Sequence, residues 1–386
     1  MSAKNGLAVS FRSRGRIIGL CLVVLFALSA VFSSAASAAP IKENYLALGD
    51  SISFGYSAAL FNANFPTESP SAFEAGVANK YWKRHKPSEH GLGLINDACP
   101  GETTNSMIGN GPLGAAVDPV NGTAPCAYHA AGFPLHHNYG AGQSQLENAL
   151  EVIATDAFLG KPVTNISLNI GANDQLHTIK VCEEQAKAEV AAVVKARIEK
   201  EIGEKLAKGE ITAEEVPATA AALQAEEAAN PANLAEGKHD VAGCIALRAT
   251  ALGEAIGHNI GTIMYVLRNG ATFGGVNYGG PIEFLGAYDP FGNLLKFPTN
   301  PEFHAGVNDE VLGGSNALVS IFNAGFREHA VEPFGGCFAD SHLKFNPLNK
   351  SEPEKLQKWT EMLTGDIHPS PAGYSILAGV LFKACG

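Results

Sequence analysis

Basic residues are scarce in this 386-residue chain: 27 lysines and arginines stand against 38 aspartates and glutamates, for a net charge of −11. No basic stripe exists to release counterions from phosphates, which argues against a nucleic-acid partner. The same deficit gives no electrostatic pull toward anionic lipid, and a surplus of acid keeps an exported chain soluble. Cysteine is also sparse, with seven residues, no Cys-x-x-Cys and no matching histidine spacing, so no metal site is expected. Long apolar runs are missing beyond residue 31, so no membrane span is expected after that point. There is no internal repeat.

The one apolar run lies at the start. Arg12, Arg14 and Arg16 form a positive segment, Ile17 to Val31 is apolar, and Ala36-Ser37-Ala38 offers a small-residue cleavage site before Ala39-Pro40. That grammar is a secretory signal peptide over residues 1–39, and the run is short for a bilayer span. Secretion is therefore expected, with residues 40–386 as one mature domain and no stable membrane span after cleavage. Cys21 lies inside the apolar run. Cys99, Cys126, Cys182, Cys244, Cys337 and Cys385 remain, an even set that suggests disulfides in an oxidising compartment. Neighbour pairing, 99 with 126, 182 with 244 and 337 with 385, is the preferred scheme among those possible. Each such bridge would stabilise by roughly 3–4 kcal/mol in the chain-entropy model.

Asn44 to Leu48 is apolar enough for a strand buried on both faces. Val163 to Ile170 and Ile282 to Tyr288 are further strands. Gln143 to Ala154, Ile245 to Leu267 and Asn316 to His329 have helical periodicity, and Ser370-Pro371 caps and starts a last helix. Strands alternating with helices imply an α/β fold with a mostly parallel sheet covered on both faces. Gly91 to Gly142, rich in Gly, Pro and Asn, is expected to be irregular. Residues 183–243 depart in composition. Val190, Val194, Ile198, Ile202 and Leu206 form an apolar stripe, and Pro217 separates it from a second Ala/Glu-rich stretch. This is a helical hairpin inserted between Cys182 and Cys244, either packed on the core as decoration or acting as a mobile cap.

Chemistry concentrates at strand ends. Gly49-Asp50-Ser51 follows the first strand, Gly171-Ala172-Asn173-Asp174 follows the strand at Val163, and Asp366-Ile367-His368-Pro369 precedes the last helix. In open parallel sheets the site lies beyond the carboxyl ends of the strands. Ser51 is a candidate nucleophile and His368 its general base. The alternative for Ser51 is a helix-capping serine, and for His368 an ordinary surface or core histidine.

Four blocks in order resemble the GDSL or SGNH hydrolase family: Gly49-Asp50-Ser51-Ile52, Ala98-Cys99-Pro100-Gly101-Glu102-Thr103-Thr104, Gly171-Ala172-Asn173-Asp174 and Asp366-Ile367-His368-Pro369. They span nearly the whole mature chain. The resemblance implies a flavodoxin-like α/β/α sandwich, no cofactor, and an oxyanion hole built from the N–H groups of Ser51 and Gly101 with the side-chain amide of Asn173. It also implies a secreted esterase or lipase. The family's usual acid lies three residues before the histidine, where this chain has Gly365, and Asp366 lies two before. Asp366 or a backbone carbonyl would then orient His368. Asp50 and Asp174 are expected to hold their turns.

The substrate is a small-molecule, lipid or sugar ester. Phe54, Tyr56, Phe61, Phe65, Tyr81 and Trp82 crowd the stretch after Ser51 and serve either as an acyl groove or as core. Lipase or carboxylesterase activity is the first expectation. The alternatives are a carbohydrate acetyl esterase, an acyltransferase on the same site, and a non-catalytic binding protein that keeps the fold.

Overall fold

A computed structural model describes residues 40–67, 69–85, 87–109, 126–140, 142–228, 230–290, 309–346 and 358–386. The expected leader over residues 1–39 lies outside them.

Five strands form one sheet: β1 (Glu43–Gly49), β2 (Leu92–Asn96), β3 (Val163–Asn169), β4 (Ile282–Leu285) and β5 (Cys337–Ala339). Every pairing is parallel, in the order β2-β1-β3-β4-β5. That is the flavodoxin-like doubly wound order, whose switch point lies between β1 and β3. The chain leaves β1 toward one edge and returns at β3 toward the other, so a crevice opens beyond the ends of these two strands.

Helices that frame the sheet and the site are α1 (Ser51–Phe54), α2 (Ala58–Asn64), α3 (Val77–Arg84), α4 (Thr104–Ile108), α5 (Gln145–Phe158), α6 (Ala172–Ala207), α7 (Val216–Ala228), α8 (Pro231–Arg268), α9 (Asp309–Phe326) and α10 (Pro371–Ala384). Strand alternation divides β1 between two cores. Leu46 and Leu48 face a core with α5, α8 and α9, including Leu146, Ile260 and Phe326. Tyr45 and Ala47 face a second core with α3 and α10, including Tyr81 and Leu377. The result is a sheet with helices on both faces.

Some expected elements change in extent. Gly91 to Gly142 is not uniformly irregular. It holds β2 and α4, with β2 as an edge strand whose Gly93 fits close under Asn44. The strand at Ile282 ends at Leu285, and Gly286 to Tyr288 turn toward the site. The segment 183–243 is not a separate hairpin. α6 runs unbroken from Ala172 and α8 runs unbroken to Arg268, so the Ala/Glu-rich residues extend two core helices, joined through α7. Pro217 sits in the first turn of α7, where its missing N–H costs no helical bond.

The three neighbour pairs of cysteines lie at disulfide distance. Their Cα separations are 6.4 Å for Cys99 and Cys126, 5.6 Å for Cys182 and Cys244, and 5.7 Å for Cys337 and Cys385. Among the described residues, no helix is long and apolar enough to cross a membrane.

Candidate active site

β1 ends at Gly49, whose φ is +124° and where a Cβ would lie 2.0 Å from the Asn169 carbonyl oxygen of β3. Only glycine lets the two strand ends approach so closely. Asp50 then caps α1, its carboxylate accepting the Ile52 N–H at 2.9 Å. Ser51 opens the helix, so its own N–H is among the first-turn donors that no helical carbonyl satisfies.

The C-terminal loop brings His368 across. Glu361 N–H bonds the His368 carbonyl at 2.9 Å, and Ser370 N–H bonds the Trp359 carbonyl at 2.9 Å, closing a narrow turn before α10. Tyr288 at the β4 end donates its hydroxyl to the Ile367 carbonyl at 2.7 Å. The imidazole Nε2 then lies 2.9 Å from Ser51 Oγ. On the other side Nδ1 lies 2.5 Å from Asp366 Oδ1. The two-residue offset therefore still delivers a carboxylate to the ring. Asp366 also accepts the His368 N–H at 3.1 Å and the Ala58 N–H at 2.7 Å.

These bonds set protonation. Burial alone would raise the Asp366 carboxyl, but the side-chain bond and charge of His368, with the two N–H donors, outweigh it and hold the pKa below the ordinary value. An ionised carboxylate only accepts, so Nδ1 carries the proton and Nε2 presents its lone pair to the Ser51 hydroxyl. That arrangement can move a proton from serine to histidine.

Gly101 and Asn173 line the same cavity as Ser51 and His368. Gly101 has φ +84°, a left-handed conformation that glycine accepts without strain. The Asn173 amide donates one N–H to the Glu102 carbonyl at 2.8 Å. The second N–H of the amide lies outside this bond. Asp174, fully buried, accepts the Thr104 N–H at 3.0 Å and the Thr104 hydroxyl at 2.6 Å. It ties the Gly101 loop to the start of α6, a link between two segments rather than the hold on its own turn that was expected.

Several residues of this constellation carry no motif. Gln145 bonds both main-chain groups of Gly49 and the Glu102 carboxyl. Asn259 of α8 donates to Thr104 Oγ1 at 3.0 Å and Asn105 Oδ1 at 2.9 Å. The Gln145 role has a sequence trace: Ser144 and Glu147 form a capping box, which places Gln145 at the start of α5, facing the strand ends. Three carboxyls lie buried beneath the serine. Burial raises Asp50 to about 7, with the Asp174 charge adding to it. Burial also raises Glu102 to about 8, with Asp50 and Asp174 pushing the same way.

The cavity holds about 470 Å³ and is mostly apolar. Of the aromatics after Ser51, Tyr56 and Phe61 line it. Tyr81 is fully buried in the core with α3 and α10, with Trp82 packed at its edge; Phe54 is buried in a separate cluster with Phe73 and Tyr128, and Phe65 is exposed. Tyr56 lies against the His368 ring, with centroids 4.8 Å apart. Cys99, Glu102 and Cys126 form a cluster of metal-type donors, but the two sulfurs face each other at disulfide distance and offer no thiolate pair to an ion. His137 sits 2.6 Å from Asp97, away from the serine, and pins the loop after Cys126 to the end of β2.

No family model and no curated protein matches this chain. Among solved structures, LAE5, an alpha/beta hydrolase enzyme from the metagenome of Lake Arreo, Spain, aligns over 89% of this chain and 95% of its own. The identity is 13% and the TM-score 0.33. At that level the likeness does not bear on the chemistry, which rests on the geometry above.

Proposed function

We propose that this chain is a secreted serine hydrolase of the GDSL or SGNH type that cleaves carboxylic esters through an acyl-enzyme on Ser51. The observation that carries it is the 2.9 Å approach of His368 Nε2 to Ser51 Oγ, with Asp366 behind the ring, at the mouth of an apolar cavity.

In the forward step Ser51 Oγ attacks the ester carbonyl while His368 takes its proton. The imidazolium so formed is stabilised by Asp366. Negative charge appears on the former carbonyl oxygen, and the N–H groups of Ser51 and Gly101 with the Asn173 amide receive it. His368 returns the proton to the leaving alcohol, and the acyl group stays on Ser51. Water, deprotonated by His368, then releases the acid and restores the serine. No step calls for a metal or an organic cofactor.

The apolar walls favour a lipase or carboxylesterase over a carbohydrate acetyl esterase, since a sugar would need polar partners deep in the pocket. Residues 1–39 act as the export signal and 40–386 as one hydrolase domain, with 183–243 as the extension of α6 and α8 joined through α7. The cysteine pairs at disulfide distance fit an extracellular setting.

Purified mature protein is assayed on p-nitrophenyl esters, and a fluorophosphonate is used to label the active serine. Turnover that disappears in a folded Ser51→Ala variant, with the label mapped to Ser51, supports the assignment. Activity retained in Ser51→Ala ends it. Absence of both turnover and labelling favours a binding protein on the same fold.

A further inference from the structure

Two apolar spaces meet at one side chain. The catalytic cavity is walled, away from His368, by Leu176 and Ile179 of α6, Ile245 and Leu252 of α8, and Leu318 and Val319 of α9. A second space of about 820 Å³ lies between α8 and α9. Leu318 lines both. Its neighbours divide the same way: Leu252 faces the first space and Gly253 the second.

The second space has a physical origin. α8 has glycine at 253, 257 and 261, one per turn, all on the groove. A Cβ at Gly253 would lie 2.9 Å from the Phe322 ring, one at Gly257 3.9 Å from Phe326, and one at Gly261 3.6 Å from Phe334. Larger residues there would fill the trench. Its floor is thus bare backbone and aromatic ring, while Glu254, His258 and His329 on its rim are exposed. Apolar floor, polar edges and a shared Leu318 wall with the cavity of the reactive serine together fit a flexible hydrocarbon chain. They do not fit a second polar substrate group.

We propose that the two spaces form one acyl path, and that Leu318 is the partition that sets acyl length. The substrate class is then esters of long unbranched fatty acids. The carbonyl sits at Ser51 and the tail passes Leu318 into the α8–α9 groove. This rests on the hydrolase assignment for the chemistry, but the groove as a fatty-chain site stands on its own geometry. Each methylene buried beyond Leu318 strengthens binding about fourfold, so a palmitoyl chain gains from the groove and a butyryl chain does not.

The test uses the mature protein, Leu318→Ala, Leu318→Trp and Gly257→Leu, the last filling the groove at a distance from the serine. On p-nitrophenyl esters from acetyl to palmitoyl, the palmitoyl-to-butyryl ratio of kcat/KM falls by about tenfold or more in Leu318→Trp and Gly257→Leu, the equivalent of two unburied methylenes. It rises in Leu318→Ala. Ratios that stay within about twofold of wild type in all three, while esters are still hydrolysed, overturn the path and leave the hydrolase assignment intact. A second readout needs no turnover: a fluorescent polyene fatty acid is titrated into Ser51→Ala. Saturable binding, displaced by palmitate and weakened about tenfold by adding Gly257→Leu, supports the groove even if no ester is cleaved. Absence of such binding overturns it, as does binding that Gly257→Leu leaves unchanged.

Discussion

Gln145 holds Gly49 by both main-chain groups. Its Oε1 accepts the Gly49 N–H at 2.6 Å, and its Nε2 donates to the Gly49 carbonyl at 3.0 Å and to Glu102 Oε2 at 2.9 Å. Gly49 precedes the capping aspartate and Ser51, and Glu102 follows Gly101. One buried amide therefore sets the spacing between the Ser51 turn and the Gly101 loop. Gln145→Ala leaves the buried Gly49 N–H without a partner and takes one bond each from the Gly49 carbonyl, which keeps the Cys99 N–H, and the Glu102 carboxyl, which keeps the Ser106 hydroxyl. The expected result is a loss of roughly 2–4 kcal/mol in urea unfolding. Turnover falls further than KM rises, because the misplacement affects charge development more than substrate burial. A variant with wild-type kcat and only lower stability would make Gln145 purely structural.

Asp366 fixes the tautomer of His368, so its removal misdirects the proton rather than merely weakening a contact. Asp366→Ala should lower kcat by roughly 10³–10⁴, whereas a change of only a few-fold would mean that the ring is oriented without it. The pH dependence of folding gives a second check. The folded Asp366 pKa lies below its unfolded value, so its stabilisation is present above the ordinary carboxylate range. It is lost as pH falls through the folded value. The stability gap between wild type and Asp366→Asn should therefore be full at neutral pH and shrink in acid below about 4.

Asn173 is only half-buried, and one of its amide hydrogens is already used on the Glu102 carbonyl. That bond aims the other hydrogen and adds little to stability. Asn173→Ala should cut kcat by roughly 10²–10³. Its unfolding free energy should stay within about 1 kcal/mol of wild type. Equal losses in both measurements would place Asn173 in the scaffold and leave the oxyanion to main-chain donors alone.

What was legible in the sequence followed the strength of local signals. Tyr45 to Leu48 and Ile166 to Leu168 pair on both sides; the first run is apolar and the second sits in a β-branched stretch from Val163, so both are visible as strands. β2 and β5 are edge strands of five and three residues, and Gly91 and Gly93 make the former look like loop. Ser51 and His368 stood out because one opens a four-residue helix straight after a strand and the other sits in the loop before α10, where a reactive side chain is not hidden in a periodic pattern. Gln145, Asn259 and Leu318 did not, because on a helix each is one more position in an amphipathic repeat. Which helix face meets the strand ends is decided by packing across the whole domain. For the same reason Ile245 to Leu267 showed as a helix, while its extension back to Pro231 did not: Ala/Glu-rich sequence is helical whether it continues an element or begins one.

Glu102 offers the most direct test of the buried carboxyl cluster. Burial, with the charges of Asp50 and Asp174, pushes its pKa up to about 8, against bonds from Ser106 and Gln145. The unfolded chain releases the same proton near pH 4, so between about 4 and 8 the folded state binds more protons than the unfolded one. Stability from this group is complete below that window and declines as pH rises through it. Glu102→Gln keeps the shape and the neutral hydrogen-bonding capacity but removes the titration. Its unfolding free energy should change less than that of wild type from about pH 5 to pH 8. By pH 8 the variant should have gained on wild type by an amount on the order of a few kcal/mol. Urea unfolding at steps across this range measures both curves, and parallel curves would mean that Glu102 is ionised in the folded protein at neutral pH.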